Sequence, residues 1–302
     1  IMINFGLNVI LILVELTFLF PTEIFYMQNK SVIGFIGAGN MAYALIKGLV
    51  NNGYGTENIK ISDLDEALLN SRNSELGVAT FTDNSALIAE CDVVVLAVKP
   101  QVMSDVCKGL QGAIKSNHLF VSIAAGIRAN DMCRWLGGDY ALVRTMPNTP
   151  ALVQQGATGL FANKLVSEEQ KTVVDSILCA IGDCFWVSKE KQIDAITAIS
   201  GSGPAYFFLM MQSMTQAGVA LGLDEETASA LSIKTALGAS VMAANSDDDP
   251  KQLRANVTSP NGTTQAAIEA FQDQNFEGIV ASATRAAFDR AHELSIQLGD
   301  VD

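Results

Sequence analysis

The sequence predicts an α/β protein in which a doubly wound, mostly parallel sheet is followed by an all-α domain. Two observations support this prediction. Up to about residue 188, short apolar segments alternate with helical patterns, an order typical of parallel sheets with helices on both faces. From Glu190 onward, helical patterns follow one another without an alternating strand pattern.

The first strand leads into a glycine-rich turn. Residues 32–36 are mostly apolar, and they are followed by Gly37, Ala38 and Gly39 before a helical pattern begins at Asn40. Glycines in such a turn let the backbone approach a pyrophosphate, and the helix N-terminus offers N–H groups and a positive dipole. Ala42 occupies the position of the usual third glycine. This pattern predicts a Rossmann-type domain with a dinucleotide cofactor.

The remaining elements follow in regular order. The segment 92–98 is apolar throughout, which predicts a strand buried on both faces, and Pro100 ends it and begins another helix. Further strands are predicted at 58–62, 78–81, 119–124, 141–145, 158–161 and 184–187, and helices at 40–52, 66–76, 85–90 and 168–180.

The C-terminal part is predicted to be entirely helical, with helices near 190–199, 204–222, 224–244, 263–273 and 276–297. The second of these begins with the run Ala205-Tyr206-Phe207-Phe208-Leu209-Met210-Met211. A helix that is apolar on all sides must be buried on all sides. A small helical domain cannot bury it alone, so a homodimer or higher homo-oligomer is predicted; a single central core helix is the alternative.

Composition excludes several classes of protein. The 302 residues include 32 acidic and 19 basic ones, for a net charge of −13, which argues against a nucleic-acid surface. The five cysteines show no C-x-x-C spacing, as expected for reduced thiols in the cytoplasm. With only His118 and His292 available, no histidine-based metal site or catalytic triad is expected.

The first 26 residues differ from the rest. Residues 1–20 are almost wholly apolar and long enough to span a bilayer, but no Lys or Arg precedes them. We interpret 1–26 as an upstream extension, with a membrane anchor as the alternative. A chain that starts at Met27 should therefore retain full activity. The predicted domains are 27–188 for nucleotide binding and 189–302 for dimerisation and substrate binding.

Cofactor-binding residues are predicted where the strands of the sheet end. Gly37, Gly39, Asn40 and Met41 are expected to hold the pyrophosphate. After later strands come the small residues Ala125 and Gly126, which leave room for a nicotinamide, and Asn148, whose amide is suited to a ribose or carboxamide.

Four motifs resemble one enzyme family. These are Ala97-Val98-Lys99-Pro100, Met146-Pro147-Asn148-Thr149-Pro150, Ser200-Gly201-Ser202-Gly203-Pro204 and the stretch from Leu253 to Thr264, which contains Ser259-Pro260-Asn261-Gly262-Thr263-Thr264. Together they closely resemble pyrroline-5-carboxylate reductase, over about residues 27–302. One departure is Asn261, where the family usually has Gly. Asn tolerates a left-handed backbone better than other non-glycine residues, so the loop should retain its shape.

The resemblance implies hydride transfer from a reduced nicotinamide to the C=N carbon of a cyclic imine, which gives L-proline in the last step of proline biosynthesis. It implies that Val98, Lys99 and Pro100 line the cofactor cleft and that Thr264 hydrogen-bonds the ring nitrogen. Substrate-binding residues would be Ser200, Gly201, Ser202, Ser259, Gly262, Thr263 and Thr264. Simple helix capping is the alternative role for these Ser and Thr residues.

The resemblance favours NADPH as cofactor, with NADH as the alternative. Ser62 ends the second strand, and its hydroxyl is suited to a 2′-phosphate. Asp63 follows it and would repel that phosphate unless its carboxylate points away.

Two other functions are compatible with a nucleotide-binding domain. A β-hydroxyacid dehydrogenase carries a catalytic Lys on the first long helix of its second domain, but residues 203–219 contain no Lys. A non-catalytic dinucleotide-binding regulator would have no use for the loop 259–264.

Overall fold

The computed structural model describes residues 31–299, which form two compact units. The first contains the described residues up to Asp194 together with those from His292 onward, and the second contains Ala195–Ala291. The predicted extension 1–26 lies outside the described residues. Within 31–299, every helix is too short or too polar to cross a bilayer.

The first unit is built on one eight-stranded sheet, as the alternating pattern predicted. Its strand order is β3-β2-β1-β4-β5-β6-β7-β8, and every neighbouring pair is parallel except β6 with β7. The strands are β1 (Ile33–Ile36), β2 (Ile59–Ser62), β3 (Ala79–Phe81), β4 (Val93–Leu96), β5 (Leu119–Ser122), β6 (Ala141–Met146), β7 (Gly156–Ala162) and β8 (Gly182–Trp186).

Twelve α-helices are present among the described residues. Those of the first unit are α1 (Asn40–Asn51), α2 (Glu66–Leu76), α3 (Asn84–Ala89), α4 (Met103–Leu110), α5 (Ala129–Leu136), α6 (Glu168–Leu178) and the short α7 (Gln192–Ile196), which runs across the boundary. Then follow α8 (Gly203–Ala220), α9 (Glu225–Ala244), α10 (Pro250–Asn256), α11 (Thr263–Asp273) and α12 (Phe276–Gly299). Helices α5 and α10 were not predicted from the sequence.

Hydrophobic cores on the two faces of the sheet confirm the doubly wound arrangement. One core contains Ile33, Phe35 and Leu45, and the other contains Ile36, Phe120 and Trp135. Alternate residues of one strand therefore serve opposite cores. The four residues of β4 are all buried, as the apolar run 92–98 predicted. This packing places the strand ends of β1 and β4 side by side.

A buried ion network joins β6 to the two points at which the chain leaves and re-enters the first unit. Arg144 is 2% exposed, and its guanidinium lies 3.2 Å from Asp194 Oδ1 and 3.4 Å from Glu190 Oε1. His292 Nδ1 lies 3.8 Å from the other carboxylate oxygen of Asp194. Glu190 also accepts a hydrogen bond from Ala129 N. These contacts hold α7 and the end of α12 within the first unit.

The second unit has almost no core of its own. Among residues 195–291, the fully buried side chains are small, such as Ala198, Ala228 and Ser232. Helices α8 and α9 pack along each other, yet Phe207, Phe208 and Leu209 on α8 are each more than 60% exposed. Exposed apolar area of this extent is typical of an interaction surface.

Candidate functional site: a nucleotide cavity and a hydroxyl-rich loop

The glycine-rich turn after β1 requires a glycine at its first position. Gly37 has φ +105°, a conformation that L side chains rarely adopt. A Cβ there would lie 2.7 Å from the carbonyl oxygen of Ala97, at the end of β4. The turn thus passes directly against the backbone of the neighbouring strand.

Helix α1 begins at this turn without a cap. Its N-cap is Gly39, no side chain caps it, and its first turn contains no acidic residue. By contrast, Asp65, Asp83 and Ser167 cap α2, α3 and α6. The free N–H groups and positive dipole of α1 are therefore available to an anion. A Cβ on Gly39 would meet no atom within 4 Å, so the space beside this helix end is open.

Two charged side chains hold the turn in place from outside the motif. Asp63 Oδ2 accepts a hydrogen bond from Ala38 N at 2.8 Å, and Arg72 Nε donates to Ala38 O at 3.3 Å. The guanidinium of Arg72 also stacks over the Tyr43 ring, 4.3 Å from its centroid. Sequence reasoning did not assign this role to Arg72, because its position on α2 carries no motif.

A cavity of about 860 Å³ opens at this turn. It lies at the carboxyl ends of the neighbouring strands β1 and β4, where the chain leaves the two strands towards opposite faces of the sheet. This is the usual ligand position in such folds. Of the predicted cofactor residues, it brings together Gly37, Gly39, Val98 and Lys99. Asn40, Met41 and Pro100 are their chain neighbours but are not among its lining residues. The lining also includes Asp63, Leu64, Leu68, Thr82, Asn84, Ser85, Val102 and Asp105.

Ser62 does not present its hydroxyl to the cavity, which corrects the prediction of a direct phosphate contact. The residue is 0% exposed, and its Oγ donates to Asn84 Oδ1 at 2.7 Å. Asn84 and its neighbours Thr82 and Ser85 line the cavity instead. Sequence analysis missed these three residues because they become relevant only when β3 lies beside β2; a polar run after a strand was the available signal.

Gly126 and Asn148 serve the packing of the first unit. Gly126 has φ +76°, and a Cβ there would lie 3.2 Å from Leu298 Cδ1 on α12. The small size of Gly126 thus leaves space for α12, and the predicted room for a nicotinamide stays a prediction. Asn148 Oδ1 accepts from Ala157 N at 2.9 Å, which fixes the start of β7. Ala125 is half-buried after β5, and none of the three lines the cavity.

The predicted substrate residues Ser200, Gly201 and Ser202 lie at an irregular helical turn in the second unit. Residues Thr197–Gly201 form a single π-helical turn, a feature found frequently at functional sites. Ser200 Oγ donates to Ile196 O, and Tyr206 OH donates to Ala198 O at 3.0 Å. Ser202 is the N-cap residue of α8, but its side chain makes no capping hydrogen bond.

The loop of Ser259 to Thr264 leads into α11 in the same unit. Asn261 has φ +58°, so Asn accepts the left-handed conformation as predicted. Gly262 is the N-cap of α11, and neither a capping side chain nor an acidic residue occupies the helix start. A Cβ on Gly262 would lie 2.6 Å from Ser259 Oγ. Thr263 and Thr264 are the first helical residues, and Thr264 is half-buried. The alternative that these hydroxyls cap α11 is therefore wrong.

Comparison with known proteins identifies the family that has this arrangement. Residues 190–294 match the family model described as pyrroline-5-carboxylate reductase dimerisation, and residues 32–126 match NADP oxidoreductase coenzyme F420-dependent. The pyrroline-5-carboxylate reductase of Pseudomonas aeruginosa is 51% identical over 88% of this chain and 98% of its own length. The chain belongs to the pyrroline-5-carboxylate reductase family. A plant member of the family, from Glycine max, is 37% identical over 90% of this chain and 100% of its own.

Solved structures of the family share this fold. The Coxiella burnetii pyrroline-5-carboxylate reductase superimposes with a TM-score of 0.84 at 43% identity, covering 88% of this chain and 98% of that one. The Plasmodium falciparum pyrroline carboxylate reductase, solved with NADP bound, gives a TM-score of 0.78 at 30% identity, covering 88% and 99%. The predicted Rossmann-type sheet with a following helical region is thus confirmed.

Proposed function

We propose that this protein reduces 1-pyrroline-5-carboxylate to L-proline with a reduced nicotinamide dinucleotide. The observation that carries the proposal is the 51% identity to a pyrroline-5-carboxylate reductase over 98% of that enzyme. It spans both the nucleotide cavity and the loop of Ser259 to Thr264. The reaction is a two-electron reduction in which the imine carbon receives a hydride and the ring nitrogen ends as a protonated secondary amine.

The cavity of the first unit fits the cofactor. Gly37 and Gly39 leave the backbone open, and uncapped α1 offers N–H groups and a positive dipole to a pyrophosphate. Lys99 adds a positive charge to the lining, and Leu64, Leu68 and Val102 add apolar surface for a flat base. Bound there, the reduced nicotinamide dinucleotide supplies the hydride. The protein contributes binding and orientation.

On the substrate side, we assign binding to Ser200, Gly201, Ser202, Ser259, Gly262, Thr263 and Thr264. The open N-terminus of α11 suits a carboxylate, for the same reason that α1 suits a phosphate. Thr264 lies at the start of α11 without a capping role, so its hydroxyl is assigned to the ring nitrogen. Hydride transfer of this kind depends on placement and on a hydrogen-bond partner more than on a strong base.

NADPH is the first choice of cofactor in this proposal, and NADH the second. The carboxylate of Asp63 accepts backbone hydrogen bonds from Ala38 and Asp65, so both of its oxygens are turned towards the chain. Ser85 and Thr82 bring neutral hydroxyls to the lining. The solved relative with NADP bound supports this order.

We further propose a homodimer or higher homo-oligomer formed through the helical unit. The exposed apolar side chains of α8 support it, as does the match of residues 190–294 to a dimerisation model. The five cysteines are all unpaired, which supports a reducing compartment such as the cytoplasm.

The test is oxidation of NADPH or NADH by the purified protein in the presence of 1-pyrroline-5-carboxylate. A parallel reaction in the reverse direction uses 3-hydroxyisobutyrate with the oxidised cofactors. Turnover with the cyclic imine alone, faster with NADPH, is expected. Turnover with 3-hydroxyisobutyrate alone would favour a β-hydroxyacid dehydrogenase, and nucleotide binding without turnover would favour a regulator.

A further inference from the structure

A cluster of thiol and carboxylate groups lies at the edge of the sheet, away from the nucleotide cavity. Asp175, Cys179 and Cys184 each offer one potential ligand atom, and these atoms lie within 4.8 Å of one another. Cys179 is exposed, and Cys184 is partly exposed. A solute can therefore reach the cluster.

Local structure brings the three residues together. Asp175 lies in the last turn of α6, and Cys179 follows four residues later, so both side chains occupy the same helical face. The chain then reverses at Gly182, where φ is +144° and a Cβ would lie 2.0 Å from Gly156 O. This tight reversal returns Cys184, on β8, to the end of α6.

The carboxylate of Asp175 is held in position by a neighbouring ring. Trp186 Nε1 donates to Asp175 Oδ1 at 2.8 Å. Trp186 is two residues beyond Cys184 on β8, so both side chains lie on the same face of the strand. The hydrogen bond leaves Oδ2 of the same carboxylate for a ligand. In known metal sites, hydrogen-bond donors that are not themselves ligands orient the carboxylates that bind the metal.

The charges around the cluster favour a cation. Asp175 belongs to the cluster, and Asp183 directly precedes Cys184 in β8, so two carboxylates lie near the thiols. Lys171 Nζ lies 5.9 Å from the centroid of the Trp186 ring, and its charge is paired with Glu168. Electropositive surroundings are what activate redox cysteines, and these surroundings are negative.

The positions of the two sulfurs show how a cation would be bound. The Sγ atoms of Cys179 and Cys184 lie within 4.8 Å of each other. A cation held by both sulfurs displaces one proton from each thiol, and these protons are released to solvent. By contrast, burial raises the pKa of Cys91 and Cys107 to about 12, so these cysteines remain thiols.

We propose that Asp175, Cys179 and Cys184 form a binding site for a thiophilic divalent cation of the Zn²⁺ class. Two sulfurs and one carboxylate oxygen are a ligand set that zinc prefers over magnesium or calcium. A tetrahedral site with Zn–S bonds of about 2.3 Å requires ligand atoms roughly 3.8 Å apart. The cluster therefore needs only a small contraction. Water would complete the coordination on the exposed side.

Such a cation would tie the edge strand β8 to the end of α6. Strand β8 is at one end of the sheet, and the three strands β5, β6 and β7 separate it from β4, whose end lies at the cavity. The site is thus structural, and its loss should leave turnover of the intact enzyme unchanged.

The experiment is titration of the reduced, chelator-treated protein with Co²⁺ as a spectroscopic probe, followed by displacement with Zn²⁺. One equivalent of Co²⁺ per chain should produce a thiolate-to-cobalt charge-transfer band. The double variant Cys179→Ser/Cys184→Ser should lose the band and bind no cation at this site. Trp186→Phe keeps all three ligands and should weaken binding about ten- to a hundredfold.

The matched control is Asp183→Asn, which removes a neighbouring carboxylate outside the ligand set and should keep the band. An unchanged band in the double variant would overturn the proposal. So would absence of the band from the reduced protein, together with rapid formation of a Cys179–Cys184 disulfide on exposure to peroxide; that result would identify a redox pair instead.

Discussion

Two glycines of the same turn, Gly37 and Gly39, have opposite surroundings. Gly37 has a positive φ and contacts the Ala97 carbonyl, whereas Gly39 has φ −64° and open space in front of it. Gly37→Ala should therefore lower both the melting temperature and cofactor affinity, because strain and a backbone clash are added.

Gly39→Ala is the matched control in the same turn. Its backbone accepts Ala, so the melting temperature should change little, while the new methyl occupies the space assigned to the pyrophosphate. Cofactor affinity should fall at least tenfold. Thermal unfolding and nucleotide titration of both variants check this pair, and equal effects in the two variants would contradict it.

Thr264 carries the proposed chemistry of the substrate side. Thr264→Ala should lower kcat/KM for the imine by about ten- to a hundredfold, since a hydrogen bond to a group of developing charge is worth on the order of 1.5–3 kcal/mol. Nucleotide affinity should be unchanged. Thr264→Ser retains the hydroxyl and should recover much of the loss. Equal losses in both variants would show that the hydroxyl is not responsible.

Arg144 is the largest fully buried side chain of the described residues, and it carries a charge. Arg144→Met should lower the free energy of unfolding by about 3–5 kcal/mol, because Asp194, itself 2% exposed, loses the guanidinium and keeps only the His292 ring at 3.8 Å. Denaturant unfolding measures this loss.

The exposed pair of Lys171 and Glu168 is the control for this measurement. Lys171→Met should cost no more than about 1 kcal/mol, because exposed ion pairs contribute little. If Arg144→Met and Lys171→Met lower the free energy of unfolding by similar amounts, the stabilisation by the Arg144 ion network does not depend on its burial.

At the scale of elements, α8 exposes apolar side chains that no other described element of the single chain covers. Phe208 is 63% exposed in the single chain, and the proposed assembly would cover it. Phe208→Asp should therefore dissociate the oligomer and reduce activity, which size-exclusion chromatography with light scattering and the imine assay would detect. Ser213→Asp places a charge further along the same helix, on a residue that is polar and exposed, and shows whether any added charge has this effect.

The elements also show which patterns in the sequence are reliable. Strand β4 was predicted from an apolar run, because a strand buried on both faces must be apolar throughout. Helix α10 was not predicted, although Asp249 caps it and Pro250 is its first residue. An acidic residue before Pro is equally suited to a turn and to a helix start, so the pattern alone could not distinguish them.

At the scale of the whole molecule, the proposed assembly predicts a definite hydrodynamic result. Residues 195–291 bury few large side chains in the single chain. The unmodified protein should therefore be at least a dimer at micromolar concentration, as measured by light scattering. A fully active monomer would contradict the proposed assembly.

The sequence by itself determined the family and the fold class, because glycine positions, apolar periodicity and the loop of Ser259 to Thr264 are all local in the chain. Tertiary structure decided which side chains surround the cavity. The hydroxyl of Ser62 donates to Asn84 and not to the cavity. Arg72 hydrogen-bonds the glycine-rich turn, and Gly126 lies against α12. Each of these contacts joins residues at least 22 positions apart. Contacts over such distances depend on strand order and helix packing, which no local pattern encodes.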